Sequence, residues 1–231
     1  RYDYSPIPAR ADYSWPGGKR LAFCITTNIE VFAFRAGLGH DFAKTGEPQT
    51  QRNYAWRDYG NRVGIWRLFD LASELGLPLA HNANSLLYEY CPQIMDRIRE
   101  RGDEIVGHGR TNAENQRGLW ELDEARLIAD ATEAFVRHEG ERGRPTGWMV
   151  HRKHAAREFT DMIVDQFEEM VEQCERQPLV MNISIHPYVF GQPFRLRPLR
   201  EALRHCLQHR HADRVWWCKP GEIGPPFSSP G

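Results

Sequence analysis

The chain has 231 residues, 41% of them hydrophobic and 26% charged, enough for one domain with a substantial core. Its 30 lysines and arginines almost cancel 31 aspartates and glutamates. No global field therefore draws it to nucleic acid or an anionic membrane, and a small or neutral substrate is the default partner.

Residues 1–18 carry three prolines and end in Pro16-Gly17-Gly18, which predicts an irregular arm laid on the domain. Residues 1–16 lack the apolar centre of a secretion signal, and no apolar run approaches bilayer length. Leu21 to Thr27 reads as a buried strand. A long loop is expected from about Val31 to Asp58, of the kind that tends to carry function. Arg62 to Leu75 is an amphipathic helix, with Ile65, Leu68, Phe69, Ala72 and Leu75 at helical spacing and Gly76 as its stop. Leu77 to Ala83 follows as a strand, Pro92 to Arg101 as a helix stopped by Gly102, and Glu104 to Gly107 as a short strand. Leu122 to His138 is a helix and Thr146 to Met149 a strand. Ala156 to Cys174 is a helix whose face of Phe159, Ile163, Phe167, Met170 and Val171 reads as core. Leu179 to Ile185 is a strand, Pro198 to His209 a helix and Arg214 to Cys218 a last strand.

This alternation predicts an α/β fold with a parallel sheet wrapped by helices, as a barrel or an open doubly wound sheet. About six strands are counted, one or two short of a closed barrel. The strand Thr146–Met149 also runs with almost no turn chemistry into Val150-His151-Arg152-Lys153-His154 and the next helix. The five cysteines, Cys24, Cys91, Cys174, Cys206 and Cys218, are scattered and odd in number, with no C-x-x-C pair. That usage suits a reducing, cytoplasmic setting and speaks against a zinc ribbon or a disulfide framework.

In parallel α/β folds the chemistry gathers at the C-terminal ends of strands. Three such ends carry polar residues that a plain connection does not need. Thr26-Thr27-Asn28-Ile29-Glu30 closes the first strand, and alternation lets Asn28 and Glu30 face one site. A carboxylate there can act as a general base or a hard metal ligand. Gly107-His108-Gly109-Arg110-Thr111-Asn112 puts an imidazole at a second strand mouth, between glycines that let a ligand approach. Ile183-Ser184-Ile185-His186-Pro187-Tyr188 delivers a third group, with the backbone fixed just beyond it.

The run Asp103-Glu104-Ile105-Val106-Gly107-His108-Gly109 resembles the second motif of NodB-type polysaccharide deacetylases. Ile185-His186-Pro187 with Gly191-Gln192-Pro193-Phe194-Arg195 is similar to the late histidine motif of one subgroup. That subgroup holds peptidoglycan-deacetylase-like enzymes, cyclic imidases and allantoinases. Tyr59-Gly60-Asn61-Arg62-Val63-Gly64 and Pro145-Thr146-Gly147-Trp148-Met149 are similar to it as well. The similarity spans nearly the whole chain. It implies a single NodB-type domain over 1–231, a deformed (β/α) barrel, and hydrolysis of a non-peptide C–N bond. It further implies that a barrel strand and its neighbours belong between Met149 and Val150, and that like subunits assemble into a homo-oligomer.

Metal-dependent members carry paired aspartates at the first motif and His-x-x-x-His at the second. Here Asn28 and Glu30 stand at the first, with Val31 next, and His108 and Asn112 at the second. The resemblance makes Glu30 and His108 the ligands of any divalent metal such as zinc, but an amide is a poor zinc donor. Some allantoinase-like relatives are thought to work without metal. On this reading Glu30 takes a proton from water, His186 protonates the leaving nitrogen, and His108 acts beside them. Asn28, Arg62, Arg110 and Asn112 contact the substrate, an amide, cyclic imide or ureide. Two alternatives stay open. One is a metal-dependent de-N-acetylase of an N-acetyl sugar or peptidoglycan; the other is a binding protein that kept the barrel without catalysis.

His205, His209 and His211 share a helix end with Arg204, Arg210 and Arg214 and read as its solvated basic tip. His151 and His154 read as surface residues, Trp216-Trp217 as strand packing, and His81-Asn82-Ala83-Asn84 as a strand end that could touch substrate. No phosphate loop, Rossmann fingerprint or G-x-S-x-G elbow is present.

Overall fold

The computed structural model describes residues 6–32, 50–112, 133–134 and 156–223. Five strands are described, all parallel: β1 (Leu21–Ile29), β2 (Ala80–Ala83), β3 (Glu104–Gly107), β4 (Leu179–Ile185) and β5 (Val215–Trp217). β1 is buried along its whole length, as a strand covered on both faces must be. One edge of β1 pairs with β4 from Leu21↔Leu179 to Thr27↔Ile185. The other edge is shared: β5 pairs with Leu21–Phe23, and β2 pairs with Thr26–Ile29. β3 lies beyond β2. The C-terminal ends of β1, β2, β3 and β4 therefore emerge together.

Alternation along β1 sorts its side chains between two environments. Leu21, Phe23, Ile25 and Ile29 join the main core with Leu68 and Phe69, Ile94 and Ile98, Ile163 and Phe167, and Leu199 and Leu203. The opposite face carries Ala22 and Cys24, packed with Cys218, Trp15, Trp216 and Ile223, and continues upward through Thr26 and Asn28 to Glu30. The arm before β1 forms single turns at Ile7–Ala9 and Pro16–Gly18, and the Trp15 indole N–H donates to the Leu179 carbonyl at 3.1 Å.

The helices are α1 (Gln51–Tyr59), α2 (Ile65–Leu75), α3 (Leu87–Tyr90), α4 (Pro92–Arg101), α5 (Ala156–Gln173), α6 (Pro187–Phe190) and α7 (Pro193–Gln208). Four differ from the sequence reading. α1 occupies ground expected to be loop, and a π turn at Gly60–Gly64 joins it to α2. Its polar and aromatic sequence conceals the helical period, and two glycines mark what looks like a boundary. α3 and α6 are single turns, too short for periodicity to reveal. α7 begins at Pro193, so Pro198 lies inside the helix rather than at its start. β1 runs two residues past its expected end, and β2 begins at Ala80 rather than Leu77. The strand expected at Thr146–Met149, the junction of Met149 and Val150, and His151 and His154 lie outside the described residues. So does the helix expected at Leu122–His138, apart from Glu133 and Ala134, which are helical.

The π turn explains why glycines stand where a helix would ordinarily exclude them. A β-carbon on Gly64 would sit 2.2 Å from the Pro187 carbonyl oxygen, and one on Gly191 would sit 2.2 Å from the Gly64 α-carbon. Backbone thus packs on backbone beneath the segment that follows His186, a setting where π turns often occur. Gly64→Ala or Gly191→Ala is expected to destabilise the domain by about 3 kcal/mol, because neither neighbour is a side chain that can move aside. Urea unfolding of each variant measures this, and a loss below about 1 kcal/mol would show that the backbone can separate.

Candidate active site

Glu30 leaves β1 on the same face as Asn28, and its side chain is only 4% exposed. Its Oε1 lies 3.3 Å from Nε2 of His108, just past β3, and 3.6 Å from Nε2 of His186, just past β4. The three side chains thus converge from three strand ends. Burial pushes the Glu30 carboxyl up, but hydrogen bonds and charge from His108 and His186 outweigh it and hold the group down at about 2. Oε2 is equally buried and has no hydrogen-bond partner among the described residues.

Four asparagines brace this centre. Asn82 of β2 donates from Nδ2 to Asn28 Oδ1 at 2.7 Å, which turns the Asn28 amide nitrogen toward β4. There it donates to Ser184 Oγ at 3.1 Å and lies 3.4 Å from His186 Nε2. Asn84 accepts the Val31 N–H at 2.8 Å and donates to the His108 carbonyl at 2.6 Å, tying the ends of β1 and β3. Asn61, in the π turn, donates to the Glu30 carbonyl at 2.8 Å. The strand end His81–Asn84 therefore supports the site from behind, and its asparagines hold other residues in place.

His81 itself faces away. It is fully buried against Phe69, with Nδ1 2.6 Å from Thr27 Oγ1 and Nε2 3.1 Å from Asp103 Oδ2. Burial pushes the His81 imidazole down against the pull of Asp103, so it is neutral, donating from Nε2 and accepting the Thr27 hydroxyl. This Thr–His–Asp chain has the order of a catalytic triad, but no substrate can reach it. It fastens β1 to β2 and to the entry of β3, and Arg101 Nε donates to the same Asp103 oxygen at 2.6 Å.

A narrow cleft beside Glu30 is lined by Val31, Phe32, Tyr54, Asp58, Asn61 and Tyr90, with about 200 Å³ of unfilled space that includes the open solvent at its mouth. The Tyr54 and Tyr90 hydroxyls lie 3.2 Å apart, and that bond together with burial pushes the Tyr54 phenol up to about 12. Tyr188 stands edge-on to Trp56 and Phe32 and next to His186. Arg57, buried in α1, places its guanidinium 4.4 Å from the centre of the Phe32 ring. The sequence singles out none of Tyr54, Arg57, Asp58 or Tyr90 individually, because α1 lacks a clean helical period and α3 is one turn long.

The expected substrate contacts fare unequally. Asn28 is buried, with its amide bonded to Ser184 and Asn82 and 3.4 Å from His186 Nε2. Arg62 is exposed and pairs with Asp58, with its charge outside the centre. Arg110 is exposed beyond His108, its carbonyl accepting the Leu86 N–H, and it is not part of the cleft wall. Asn112 ties its backbone N–H to the Val31 carbonyl at 2.9 Å. The helix end forms an exposed basic tip of Arg204, His205 and Arg210, as expected, and His205 and His209 also reach across to Glu168 of α5, at 2.5 and 3.2 Å. His209 Nδ1 accepts the His211 N–H, so its Nε2 carries a proton and offers no lone pair to a metal.

Against known structures, the chain superposes on the crystal structure of PuuE allantoinase with a TM-score of 0.78 at 17% identity, covering 96% of each chain. A probable polysaccharide deacetylase from Pseudomonas aeruginosa PAO1 gives 0.77 at 17% identity, again covering 96% of each. This chain has the NodB-type fold. No family model and no curated protein matches the sequence. The fold sets the metal-dependent reading against the donors present. Among the described residues no three His, Cys, Asp or Glu side chains group as a metal ion requires, and Asn112 occupies the place of the second motif's other imidazole.

Because its folded value of about 2 lies below its ordinary 4.5, Glu30 contributes stability that is complete above pH 4.5. That contribution is lost as the pH falls toward the folded value, since the unfolded chain takes up the proton first. Urea midpoints of the wild type are expected to fall more steeply from about pH 5 to about pH 3 than those of Glu30→Gln. Equal slopes would show that the imidazoles do not hold the carboxylate.

Proposed function

We propose that the chain hydrolyses a non-peptide C–N bond in a small neutral substrate, a cyclic imide or ureide, with two imidazoles moving protons around a permanently ionised Glu30. One observation carries this reading: His186 Nε2 lies between an amide donor, Asn28 Nδ2 at 3.4 Å, and a carboxylate acceptor, Glu30 Oε1 at 3.6 Å. A neutral imidazole accepts from Asn28, and an imidazolium donates to Glu30. Both protonation states are held in one position, as a group that gives and regains a proton requires.

The reading revises the part first given to Glu30. A carboxylate held at about 2 is too weak a base to take a proton from water efficiently near neutral pH. Its fixed charge instead stabilises whichever imidazole is protonated, and its unpartnered Oε2 can accept one O–H of the attacking water. His108, anchored through Nε2 and clamped through its backbone to Ala83 and Asn84, takes the water's other proton at Nδ1. His186 protonates the leaving nitrogen, and the water oxygen replaces that nitrogen on the carbonyl carbon. The aromatic and hydroxyl-lined cleft, with Asp58 at its wall, suits a flat substrate that offers N–H donors and carries no negative charge.

The test is a hydrolysis screen over allantoin, hydantoins, succinimide-type imides and N-acetylated sugars, with and without added divalent metal. An imide or ureide is expected to turn over, and His186→Ala to lower kcat roughly 10²- to 10⁴-fold while circular dichroism stays unchanged. Turnover of N-acetyl sugars alone, dependent on metal, would move the reading to a deacetylase. Binding without turnover would make the chain a binding protein, and full activity of His186→Ala would reject the role given to that residue.

A further inference from the structure

Cys24 and Cys218 are 194 positions apart in sequence, yet their sulfurs lie 3.6 Å from each other in the interior. The contact follows from the sheet. Phe23 of β1 is the register partner of Trp217 of β5, and the Cys218 N–H donates to the Phe23 carbonyl at 3.1 Å. Cys24 and Cys218 are thus the next facing pair on neighbouring strands. Strands so paired stand about 4.8 Å apart, inside the range of Cα separations that a disulfide spans. Both side chains point to the same face, into a pocket formed with Ala22, Trp15, Trp216 and Ile223. Each residue is 1% exposed.

We propose that Cys24 and Cys218 are a redox pair that closes to a disulfide when the folded domain meets a peroxide. One thiol sulfur attacks a peroxide oxygen, the O–O bond breaks, and a sulfenic acid and one water form. The second thiol sulfur then attacks the sulfenic sulfur, the S–O bond breaks, and a second water leaves. Two thiols lose two electrons and two protons in all, and one peroxide is reduced to two waters. The sulfurs need close by only about 1.5 Å, within reach of modest side-chain rotation.

The remaining cysteines have no comparable partner among the described residues. Cys174 donates its thiol to the Val171 carbonyl, Cys206 is buried in the main core, and Cys91 is half-buried beside α4. The hydrogen bond with Cys24 and burial push the Cys218 thiol up, which makes closure slow at neutral pH and faster in alkali. The bond would join the last described strand to the strand that bears Asn28 and Glu30, on the same face and below them. The site's central strand would then be stapled from beneath.

The experiment treats the folded chain with hydrogen peroxide, alkylates remaining thiols in denaturant and maps the peptides by mass. The expected product is one linked peptide pair joining Cys24 to Cys218, two hydrogens lighter than its reduced parts, with a Tm higher by about 5 °C or more. Cys218→Ala should abolish both the linked pair and the gain in Tm. Recovery of Cys24 and Cys218 as alkylated thiols, their conversion to sulfinic acids without a link, or pairing of either with another cysteine would overturn the proposal.

Discussion

A carboxylate removed from water at the end of a central strand is expensive unless cations or hydrogen-bond donors meet it there. Glu30 is such a group, and His108 and His186 are what meet it. That single requirement sets much of the surrounding architecture. It demands that the ends of β1, β3 and β4 finish at the same level, because each imidazole reaches the same oxygen from a different strand. The parallel register supplies this, with β1 as the only described strand that pairs with β4 on one edge and β2 on the other.

The supporting parts fall into two layers. On the site's own face, Asn82, Asn28 and Ser184 form a chain of side-chain bonds across β2, β1 and β4, and Asn84 joins β1 to β3. On the opposite face, Thr27, His81 and Asp103 repeat the linkage where no water enters. Beneath His186, the contact of Gly64 with Pro187 and Gly191 fixes the chain from the helical side. The carboxylate and its imidazoles are thus placed by backbone and by short polar side chains, which have few rotamers to lose.

Much of this was legible in the residues. The apolar run of β1 and the alternation beyond it announced that Asn28 and Glu30 share a face, and the rule that chemistry gathers at strand ends picked out His108 and His186. What the sequence could not show was order. Strand order decides that β5 lies against β1, so the nearness of Cys24 to Cys218 is invisible in a list of scattered cysteines. Length mattered too: α3 and α6 are single turns, and α1 mixes polar and aromatic residues without a clean apolar stripe, so Tyr54, Arg57, Asp58 and Tyr90 gave no signal. Arg62 and Arg110 both stand exposed, because a long cation beside a strand end gains more from water than from burial.

The proposed hydrolysis requires His108, Glu30 and His186 to act as one unit. A double-mutant cycle on kcat/KM tests it most directly, using His108→Ala, His186→Ala and the double variant on whichever imide or ureide the chain hydrolyses. If one carboxylate couples the two imidazoles, the double variant loses little beyond the worse single one, a coupling of at least about 1 kcal/mol. Losses that simply multiply would mean the two histidines work independently and that their meeting at Glu30 is not what drives the chemistry.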